Sequence, residues 1–346
     1  MLIIKLDAMG DVLRTTCLLP PMAKAWPNSR VTWITRPESV PLLENNPYVT
    51  EVVPYGPDAV VHLLSRRFHK LINLDAGKVS SALAASARAE ERIGYVLAQD
   101  GYVQPTSPEA ETWLRMGIFD DLKKTNTQTY QEIMCTVLGL PTDGMRYVLE
   151  LSDKELKDAQ DHLISLGVDL EKSIIAIHTG AGGRWPQKQW GEGNLVLLIN
   201  ELIEELGDKT QVILFGGPSE ENLNKRILES VSFQVFDAGC HNPVRHFAGL
   251  ITCCSVVLSG DSLAMHVALA TGRRVVVLFG PTSHAEIELF GLGEKVYADL
   301  DCLGCYRTQC TVSPNCMDLI SVEMVKTALL RQLAIAIAQV PRSVMS

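Results

Sequence analysis

The sequence predicts an α/β protein of two domains, each with a parallel sheet covered by helices on both faces. The chain has 346 residues, which is long for one core and suits two domains of about 150 residues each. Short apolar runs alternate with longer helical patterns, as expected when helices connect parallel strands. The same alternation restarts in the second half, after a break at residues 140–152.

The first half contains four clear candidate strands and a fifth, shorter one. They cover residues 2–5, 31–35, 51–53, 70–74 and 92–95. Helical patterns between them cover residues 12–25, 59–66 and 80–87. Segment 102–128 is polar and weakly periodic, so we expect it to be a long surface connection.

The second half contains four runs that are apolar on both faces and rich in β-branched residues, as buried parallel strands are. They cover residues 174–178, 211–215, 256–259 and 275–279. Helical patterns cover residues 194–206, 220–231, 242–254 and 264–271.

The domain boundary is predicted from a helix start. Ser152 and Glu155 have the spacing of a capping box and should open a helix that ends near residue 166. We therefore expect domains at 1–150 and 151–325. The terminal segment 326–346 is expected to be a helix that packs across a domain, with the N-terminal domain as one candidate.

Composition excludes several classes of protein. The net charge is −9 and the sequence contains no run of Lys and Arg, whereas nucleic-acid-binding domains are usually basic. No apolar stretch reaches the roughly 18 residues needed to span a bilayer. The first residues lack the features of a signal peptide, so we expect a cytoplasmic protein.

In open α/β sheets, ligands bind beyond the carboxyl ends of the strands. The first such loop, residues 5–12, contains the pair Gly10 and Asp11. Gly10 permits a tight turn. Asp11 is either the N-cap of the next helix or a general base held at the end of the strand, and so short a motif does not decide between them.

The second loop, residues 178–190, combines small residues with a hydroxyl and two positive charges. This combination suits a diphosphate, although a plain glycine-rich turn is the alternative. The chain contains neither a Walker loop nor a Gly-x-Gly-x-x-Gly fingerprint. The candidate residues of this loop are Thr179, Gly180, Ala181, Arg184 and Lys188.

The third loop, residues 215–221, contains Glu220 and Glu221. Either carboxylate could accept hydrogen bonds from a ribose, but acidic residues are also favoured at the start of a helix. Both interpretations stay open.

The fourth loop, residues 259–266, precedes a helix that Asp261 or Ser262 could cap. The free N–H groups and the dipole of such a helix stabilise a phosphate. His266 lies about one turn along this helix, where a histidine is more often packed or exposed than a ligand. The next strand ends in a second turn of small residues, at Gly280 and Pro281.

These four loops, in this order, resemble those of glycosyltransferase family 9, the ADP-heptose heptosyltransferases of lipopolysaccharide synthesis. The strongest likeness is segment 261–266 followed by 278–282, and the Gly10–Asp11 loop and segment 188–190 add to it. The resemblance spans nearly the whole chain. It implies the GT-B fold, in which two Rossmann-like domains face a central cleft, with the acceptor bound by the first and the donor by the second.

The resemblance also implies an inverting transfer without a catalytic metal, and roles for single residues. Asp11 would deprotonate the acceptor hydroxyl. Lys188, Thr179 and the helix that begins at Ser262 would stabilise the departing nucleoside diphosphate. The implied donor-binding residues are Thr179, Gly180, Ala181, Arg184, Lys188, Glu220, Asp261, Ser262, Leu263, His266, Gly280 and Pro281. The implied acceptor-binding residues are Gly10, Arg14, Asp75 and Lys78.

Two departures affect these expectations. Leu263 stands where many members have Gly, and Arg14 stands where some have His.

We expect a heptose, or a related sugar, to pass from an ADP-sugar to a hydroxyl of a lipopolysaccharide-type glycan, with peripheral contact at the inner membrane if the acceptor is a lipid. The alternatives are a heptosyltransferase acting on an autotransporter-type protein and a non-catalytic nucleotide-binding module. The missing dinucleotide fingerprint disfavours a dehydrogenase or epimerase.

Four of the nine cysteines lie within fifteen residues: Cys302, Cys305, Cys310 and Cys316. Stable disulfides are not expected in a cytoplasmic protein. Four neighbouring thiols suit a tetrahedral zinc or iron site, and a similar cluster occurs in a subset of the family that resembles autotransporter heptosyltransferases holding iron. We expect a structural metal here, and the alternative is a set of reduced cysteines, two of which pair opportunistically.

Overall fold

The computed structural model describes residues 1–182 and 186–339. The chain forms two compact units. The N-terminal unit comprises Met1–Glu150 together with Ala285–Glu288, and the C-terminal unit comprises Leu151–His284 and the described residues from Leu289 onward. The sequence places residues 285–288 in the C-terminal domain, but the backbone N–H of Tyr130 donates to the carbonyl of Glu286 at 2.9 Å and ties this short segment to the N-terminal unit.

The sheet of the N-terminal unit has six strands in the order β3-β2-β1-β4-β5-β6. The strands are β1 Leu2–Ile4, β2 Thr32–Thr35, β3 Glu51–Pro54, β4 Arg67–Asn73, β5 Arg88–Leu97 and β6 Val103–Pro105. Only β6 pairs in the antiparallel direction. The helices are α1 Met9–Thr15, α2 Leu19–Ala25, α3 Pro57–Ser65, α4 Lys78–Ser86, α5 Pro108–Ile118, α6 Asp120–Thr125 and α7 Tyr130–Leu138.

Segment 102–128, expected to be a long surface connection, is largely exposed, but it contains the regular elements β6, α5 and α6. Helix α5 begins after Ser107, whose side chain accepts a hydrogen bond from the Ala110 N–H at 3.3 Å. Pro108 follows at the first helical position, where proline is favoured. Only Ala110 and Met116 of α5 are buried and no residue of α6 is, which explains the weak periodicity.

The sheet of the C-terminal unit also has six strands, in the order β12-β11-β10-β7-β8-β9, and all pairs are parallel. The strands are β7 Ser173–His178, β8 Thr210–Phe215, β9 Phe236–Asp237, β10 Val256–Gly260, β11 Arg274–Phe279 and β12 Gly293–Tyr297. The helices are α8 Asp153–Ser165, α9 Glu192–Leu206, α10 Glu221–Ser230, α11 Val244–Thr252, α12 Leu263–Ala270 and α13 Val322–Gln339.

Both sheets have the Rossmann strand order. Numbered within each unit, the order is 3-2-1-4-5-6, in which the direction of winding reverses between the first and fourth strands. The predicted α/β class with two Rossmann-like units is therefore confirmed. The reversal points lie between β1 and β4 in the N-terminal unit and between β7 and β10 in the C-terminal unit.

The terminal helix α13 packs on the C-terminal unit. Its residues Val325, Leu329 and Leu333 are buried in one core with the strands of that unit's sheet. The Nζ of Lys326 lies 2.9 Å from a carboxylate oxygen of Glu201 on α9. In its described part the helix thus packs within the C-terminal unit, and packing of the terminal segment on the N-terminal domain stays a prediction. Within residues 1–182 and 186–339, no helix is long and apolar enough to cross a membrane.

Candidate functional site

An ion pair joins the two loops at the reversal point of the C-terminal sheet. The Lys188 Nζ lies 2.7 Å from Asp261 Oδ2 and donates to the Asp261 carbonyl at 2.9 Å. Burial alone would raise the pKa of Asp261, but the positive charges of Lys188 and His266 outweigh it and hold that pKa below its ordinary value. An ammonium has three N–H donors, so Lys188 keeps one beyond the two bonds to Asp261.

The mouth of helix α12 lies directly after this pair. Ser262 is the N-cap residue, but its side chain makes no capping hydrogen bond and lies 2.9 Å from the Ser259 hydroxyl. Ser262, one of the two expected caps, thus occupies the N-cap position but does not cap the helix through its side chain. The first-turn N–H groups have no side-chain cap from Ser262, which suits an anionic ligand.

A pocket opens between the ends of β7 and β10, beside the ion pair. A Cβ added to Gly260 would lie 3.7 Å from the Ala181 Cβ, so the two loops approach closely. The residues that line this pocket include His178, Thr179, Gly180, Ala181, Lys188, Ser259, Gly260 and Leu278. The structure thus brings together the predicted second and fourth loops.

Two side chains at this pocket lie within hydrogen-bond distance of other groups of the protein. The Thr179 hydroxyl lies 3.2 Å from the Phe215 carbonyl and 2.5 Å from the Asn224 side-chain oxygen, so it is held inside the fold and does not face a phosphate as expected. His178 Nδ1 lies 3.0 Å from the Gly180 carbonyl. Burial lowers the pKa of His178, so we assign a neutral ring with its proton on Nδ1.

Of the two acidic residues in the third loop, Glu220 is the one that lies against the pocket. Its carboxylate accepts hydrogen bonds from the Gly217 N–H at 2.8 Å and the Ser219 hydroxyl at 2.7 Å. A Cβ on Gly180 would come within 2.5 Å of the Glu220 Cδ, so this contact requires glycine. Glu221 is exposed and lies 3.4 Å from His241.

The remaining donor-side residues are placed as follows. His266 is buried on α12, with 6% of its surface exposed. The Gly280 carbonyl accepts a hydrogen bond from the Gly304 N–H at 3.2 Å, and the Pro281 carbonyl accepts one from the Tyr306 N–H at 2.7 Å. The cysteine-rich segment, residues 302–316, therefore holds this turn. Arg184 lies outside the described residues.

Asp11 lies at the reversal point of the N-terminal sheet, in the first turn of α1. The N-cap is Ala8, so the N-cap interpretation of Asp11 is wrong. Asp11 Oδ1 lies 2.6 Å from Arg14 Nη2, and the Arg14 guanidinium lies 3.9 Å from the centre of the Tyr130 ring. The side chain of Arg14 therefore orients a carboxylate beside Gly10, with Tyr130 beneath it.

Charge and burial act in opposite directions on Arg14. Burial would lower the pKa of its guanidinium, but Asp11 and the other negative groups around it raise that pKa above its ordinary value. Arg14 thus stays a cation next to Asp11. Tyr130 received no role from the sequence, because an aromatic residue opening a helix has no distinguishing pattern.

Asp75, expected to bind the acceptor, is instead buried with 2% of its surface exposed. Its carboxylate accepts hydrogen bonds from the equally buried Lys5 and from the Leu6 N–H. Burial raises the pKa of Asp75 to about 7, against the opposing charge of Lys5. The pair of Lys5 and Asp75 supports the loop that follows β1. Lys78, in contrast, is exposed at the start of α4.

Comparison with known proteins identifies the family. Residues 60–315 match the model of glycosyltransferase family 9 (heptosyltransferase). The chain belongs to glycosyltransferase family 9. Lipopolysaccharide heptosyltransferase 2 of Escherichia coli K12 is 26% identical over 298 residues, which cover 80% of this chain and 81% of the relative.

Solved structures of family 9 proteins share the fold. The family 9 transferase of Veillonella parvula superposes with a TM-score of 0.77 at 19% identity, covering 96% of each chain. The E. coli ADP-heptose lipopolysaccharide heptosyltransferase II gives 0.70 at 20% identity, covering 96% of this chain and 98% of that one. These likenesses confirm the GT-B fold.

A further solved structure shares the fold. The iron-containing dodecameric glycosyltransferase TibC of enterotoxigenic E. coli H10407 superposes with a TM-score of 0.58 at 14% identity, covering 96% of this chain and 75% of that one. Here all four clustered cysteines are free thiols of intermediate exposure. Burial and the other three thiols raise the pKa of Cys316.

Cysteine sulphur is a good ligand for zinc or iron. Even so, across the described ranges no group of three or more His, Cys, Asp or Glu side chains has an arrangement that could hold a metal ion. The structure does not assemble the expected metal site, and a bound metal stays a prediction.

Proposed function

We propose that this family 9 glycosyltransferase moves a heptose, or a related sugar, from an ADP-sugar to a hydroxyl of a lipopolysaccharide-type glycan. The observation that carries the proposal is the Lys188–Asp261 pair at the uncapped mouth of α12. A lysine with a spare donor and a free helix N-terminus together suit a diphosphate. The heptosyltransferases among its relatives support a heptose as the sugar.

On the donor side, the ADP leaving group gains negative charge as the bond between the anomeric carbon and the phosphate oxygen breaks. Lys188 and the first-turn amides of α12 are proposed to stabilise that charge. Because this cationic support comes from the chain itself, we propose that the transfer uses no catalytic metal. Glu220 is proposed to accept hydrogen bonds from the ribose.

On the acceptor side, Asp11 is proposed to take the proton of the acceptor hydroxyl while that oxygen attacks the anomeric carbon. Attack from the face opposite the leaving group inverts the configuration. Arg14 is proposed to act as a positioning residue that holds the Asp11 carboxylate, since their atoms lie 2.6 Å apart. Gly10 and Lys78 are the remaining proposed acceptor contacts.

A protein acceptor of the autotransporter type is the second candidate. What favours it is the resemblance of the cluster Cys302, Cys305, Cys310 and Cys316 to that of autotransporter heptosyltransferases. A non-catalytic nucleotide-binding module is the third candidate and requires that no transfer occurs. A cytoplasmic location also stays a prediction.

The test follows ADP release from ADP-heptose with candidate glycan and protein acceptors. We expect Asp11→Asn to reduce the turnover about 100-fold or more, because a general base contributes on that order. Asp58→Asn is the matched control, since Asp58 also lies in the first turn of a helix of the same unit and is exposed. Equal release by wild type and Asp11→Asn would show that Asp11 is not the base.

A second pair of variants tests the donor site. Lys188→Met should weaken ADP binding in calorimetry, whereas the exposed Lys209→Met in the same unit should leave it unchanged. Unaltered ADP affinity in Lys188→Met contradicts the donor assignment. ADP binding by a wild type that releases no ADP from ADP-heptose with any acceptor favours the third candidate.

A further inference from the structure

Asn224 is a buried amide on helix α10 that takes no part in the proposed transfer. The residue is 1% exposed and lies one turn after Glu220, the N-cap residue of the helix. Asparagine is mostly found at protein surfaces and is not favoured inside helices, because its side chain competes for backbone hydrogen bonds. The burial of this amide is therefore explained by the groups that its two ends contact.

The two ends of the amide contact loops that follow two different strands. Asn224 Oδ1 lies 2.5 Å from the hydroxyl of Thr179, the first residue after β7. Asn224 Nδ2 lies 3.5 Å from the Sγ atom of Cys240, which follows β9. Exchange of the amide oxygen and nitrogen would keep both pairs, because a hydroxyl and a thiol can each donate or accept a hydrogen bond. Asn224 thus links the loops after β7 and β9.

The loop after β8 packs between these two contacts. A Cβ added to Gly216, the first residue after β8, would lie 3.4 Å from Asn224 Nδ2 and 3.0 Å from the Cys240 sulphur. It would also lie 2.7 Å from the Glu220 Cβ, so this close packing requires glycine. Three loops of the C-terminal unit therefore surround one amide. We call residues 179–182, 216–220 and 238–242 the three strand-end loops.

The three strand-end loops carry groups that are proposed to bind the donor. Gly180 follows Thr179 and packs against Glu220, since a Cβ on Gly180 would come within 2.5 Å of the Glu220 Cδ. The Glu220 carboxylate is proposed to bind the ribose. A misplacement of about 1 Å in such a site can cost on the order of 100-fold in rate. The spacing of these loops therefore has to be held by contacts within the protein.

We propose that Asn224 is a positioning residue for the donor nucleotide. Its amide holds the three strand-end loops at a fixed spacing, so that Gly180 and the Glu220 carboxylate are in place before the nucleotide binds. Groups that are ordered in advance strengthen binding, because no free energy is then lost in ordering them when the ligand arrives. The inference rests on the proposed function, in which an ADP-sugar binds at these loops. Asn224 acts through the loops and is not a catalytic residue.

The first measurement is the Kd of ADP by calorimetry. Asn224→Ala should weaken ADP binding about tenfold, which is the scale of effect for residues that act without touching the ligand. Thr179→Val removes the hydroxyl partner alone and should act in the same direction. The double variant should lose no more than Asn224→Ala alone, because both changes break the same contact.

The second measurement separates binding from chemistry. With ADP-heptose as the donor, Asn224→Ala should raise KM and leave kcat within about twofold of the wild type, because substrate and transition state are bound less tightly by the same amount. The third measurement is backbone amide exchange followed by mass spectrometry, without any ligand. Asn224→Ala should speed exchange in the three strand-end loops, since their shared contact is gone.

The matched control is Gln332→Leu. Gln332 is a second buried amide of the same unit, 3% exposed, and it bonds to Arg274 at 2.6 Å and to Glu294 at 2.5 Å. Its loss should lower Tm, as the loss of Asn224 does, but should leave the ADP affinity and the exchange of the three strand-end loops unchanged. Circular dichroism melts check that each variant is folded, and Thr179→Val is the milder variant if Asn224→Ala is not.

The proposal and the proposed function fail in different ways. If the wild type binds ADP and both Asn224→Ala and Thr179→Val bind it equally well, the positioning role is refuted and the donor site stands. Equal losses in Asn224→Ala and Gln332→Leu, additive losses in the double variant, or a fall in kcat at unchanged KM would also overturn the role. If the wild type binds no ADP, the proposed donor site fails, and amide exchange still decides whether Asn224 holds the loops.

Discussion

The buried pair of Lys5 and Asp75, which supports the loop after β1, should contribute measurably to the stability of the N-terminal unit. Both side chains are 2% exposed. We expect Asp75→Leu to leave the Lys5 ammonium without its buried partner and the Leu6 N–H without its acceptor. Removing one partner of a buried ion pair costs about 3–5 kcal/mol, because an uncompensated charge remains.

The structure argues for the lower end of that range. Lys5 keeps a second carboxylate, Asp7, whose oxygen lies 3.0 Å away and which is 54% exposed. We therefore expect a loss of about 3 kcal/mol in the free energy of unfolding, which corresponds to a fall of roughly 10 °C in Tm for a domain of this size. Urea unfolding followed by fluorescence, with a melt in parallel, measures both quantities.

A double variant separates the lost charge from lost packing. Lys5→Met with Asp75→Leu removes both charges, and replacement of a buried pair by apolar residues is often neutral. It should recover most of the loss. The control is Asp158→Asn, which removes the exposed i,i+4 pair with Lys154 and should cost under about 0.5 kcal/mol. A single variant no worse than this control, or a double variant as unstable as the single one, refutes the reasoning.

Three further predictions concern the C-terminal unit. A hydrogen bond from Arg245 lowers the pKa of Glu155 to about 2. The stabilisation of the folded state by this ion pair is therefore present above pH 4.5, the ordinary pKa of Glu155, and is lost as the pH falls toward 2. Glu155→Gln should cost about 2 kcal/mol at pH 6 and nothing near pH 2 in acid unfolding, and a constant difference would contradict the linkage. Gly180→Ala should displace the Glu220 carboxylate and weaken ADP binding in calorimetry with little change in Tm; unchanged affinity would remove Glu220 from the site. If the four clustered cysteines hold a structural metal, elemental analysis should find it and chelation should lower Tm, whereas an unchanged Tm after stripping would count against the metal.

The parallel strands were predictable because their sequences are apolar on both faces. Runs such as Val275–Val277, which are apolar and β-branched at every position, are typical of parallel strands buried on both faces. Strand β12 was missed because only Val296 in it is buried, so the run lacks an apolar signal. Helices α5 and α6 were missed for the same physical reason, since their exposed surfaces erase the periodicity that marks a helix.

The site was predictable as a set of loops, but not in its pairings. Lys188 and Asp261 are 73 residues apart, and only the reversal of strand order between β7 and β10 makes them neighbours. The buried state of Asp75 could not be seen either, because carboxylates are mostly exposed and its partner Lys5 is 70 residues away. Spacing along the chain identifies candidate side chains, whereas their partners decide whether they bind ligand or support the fold.

The N-terminal unit is discontinuous: residues 285–288 belong to it, although they lie within the second half of the chain. A recombination event at a single boundary near residue 150 would therefore separate Tyr130 from the carbonyl of its native Glu286. If acceptor specificity is exchanged between family members, this contact is kept only when residues 1–150 and residues 285–288 come from the same parent. Chimeras of this protein should accordingly be made with two crossover points around residues 285–288 in addition to the one near residue 150.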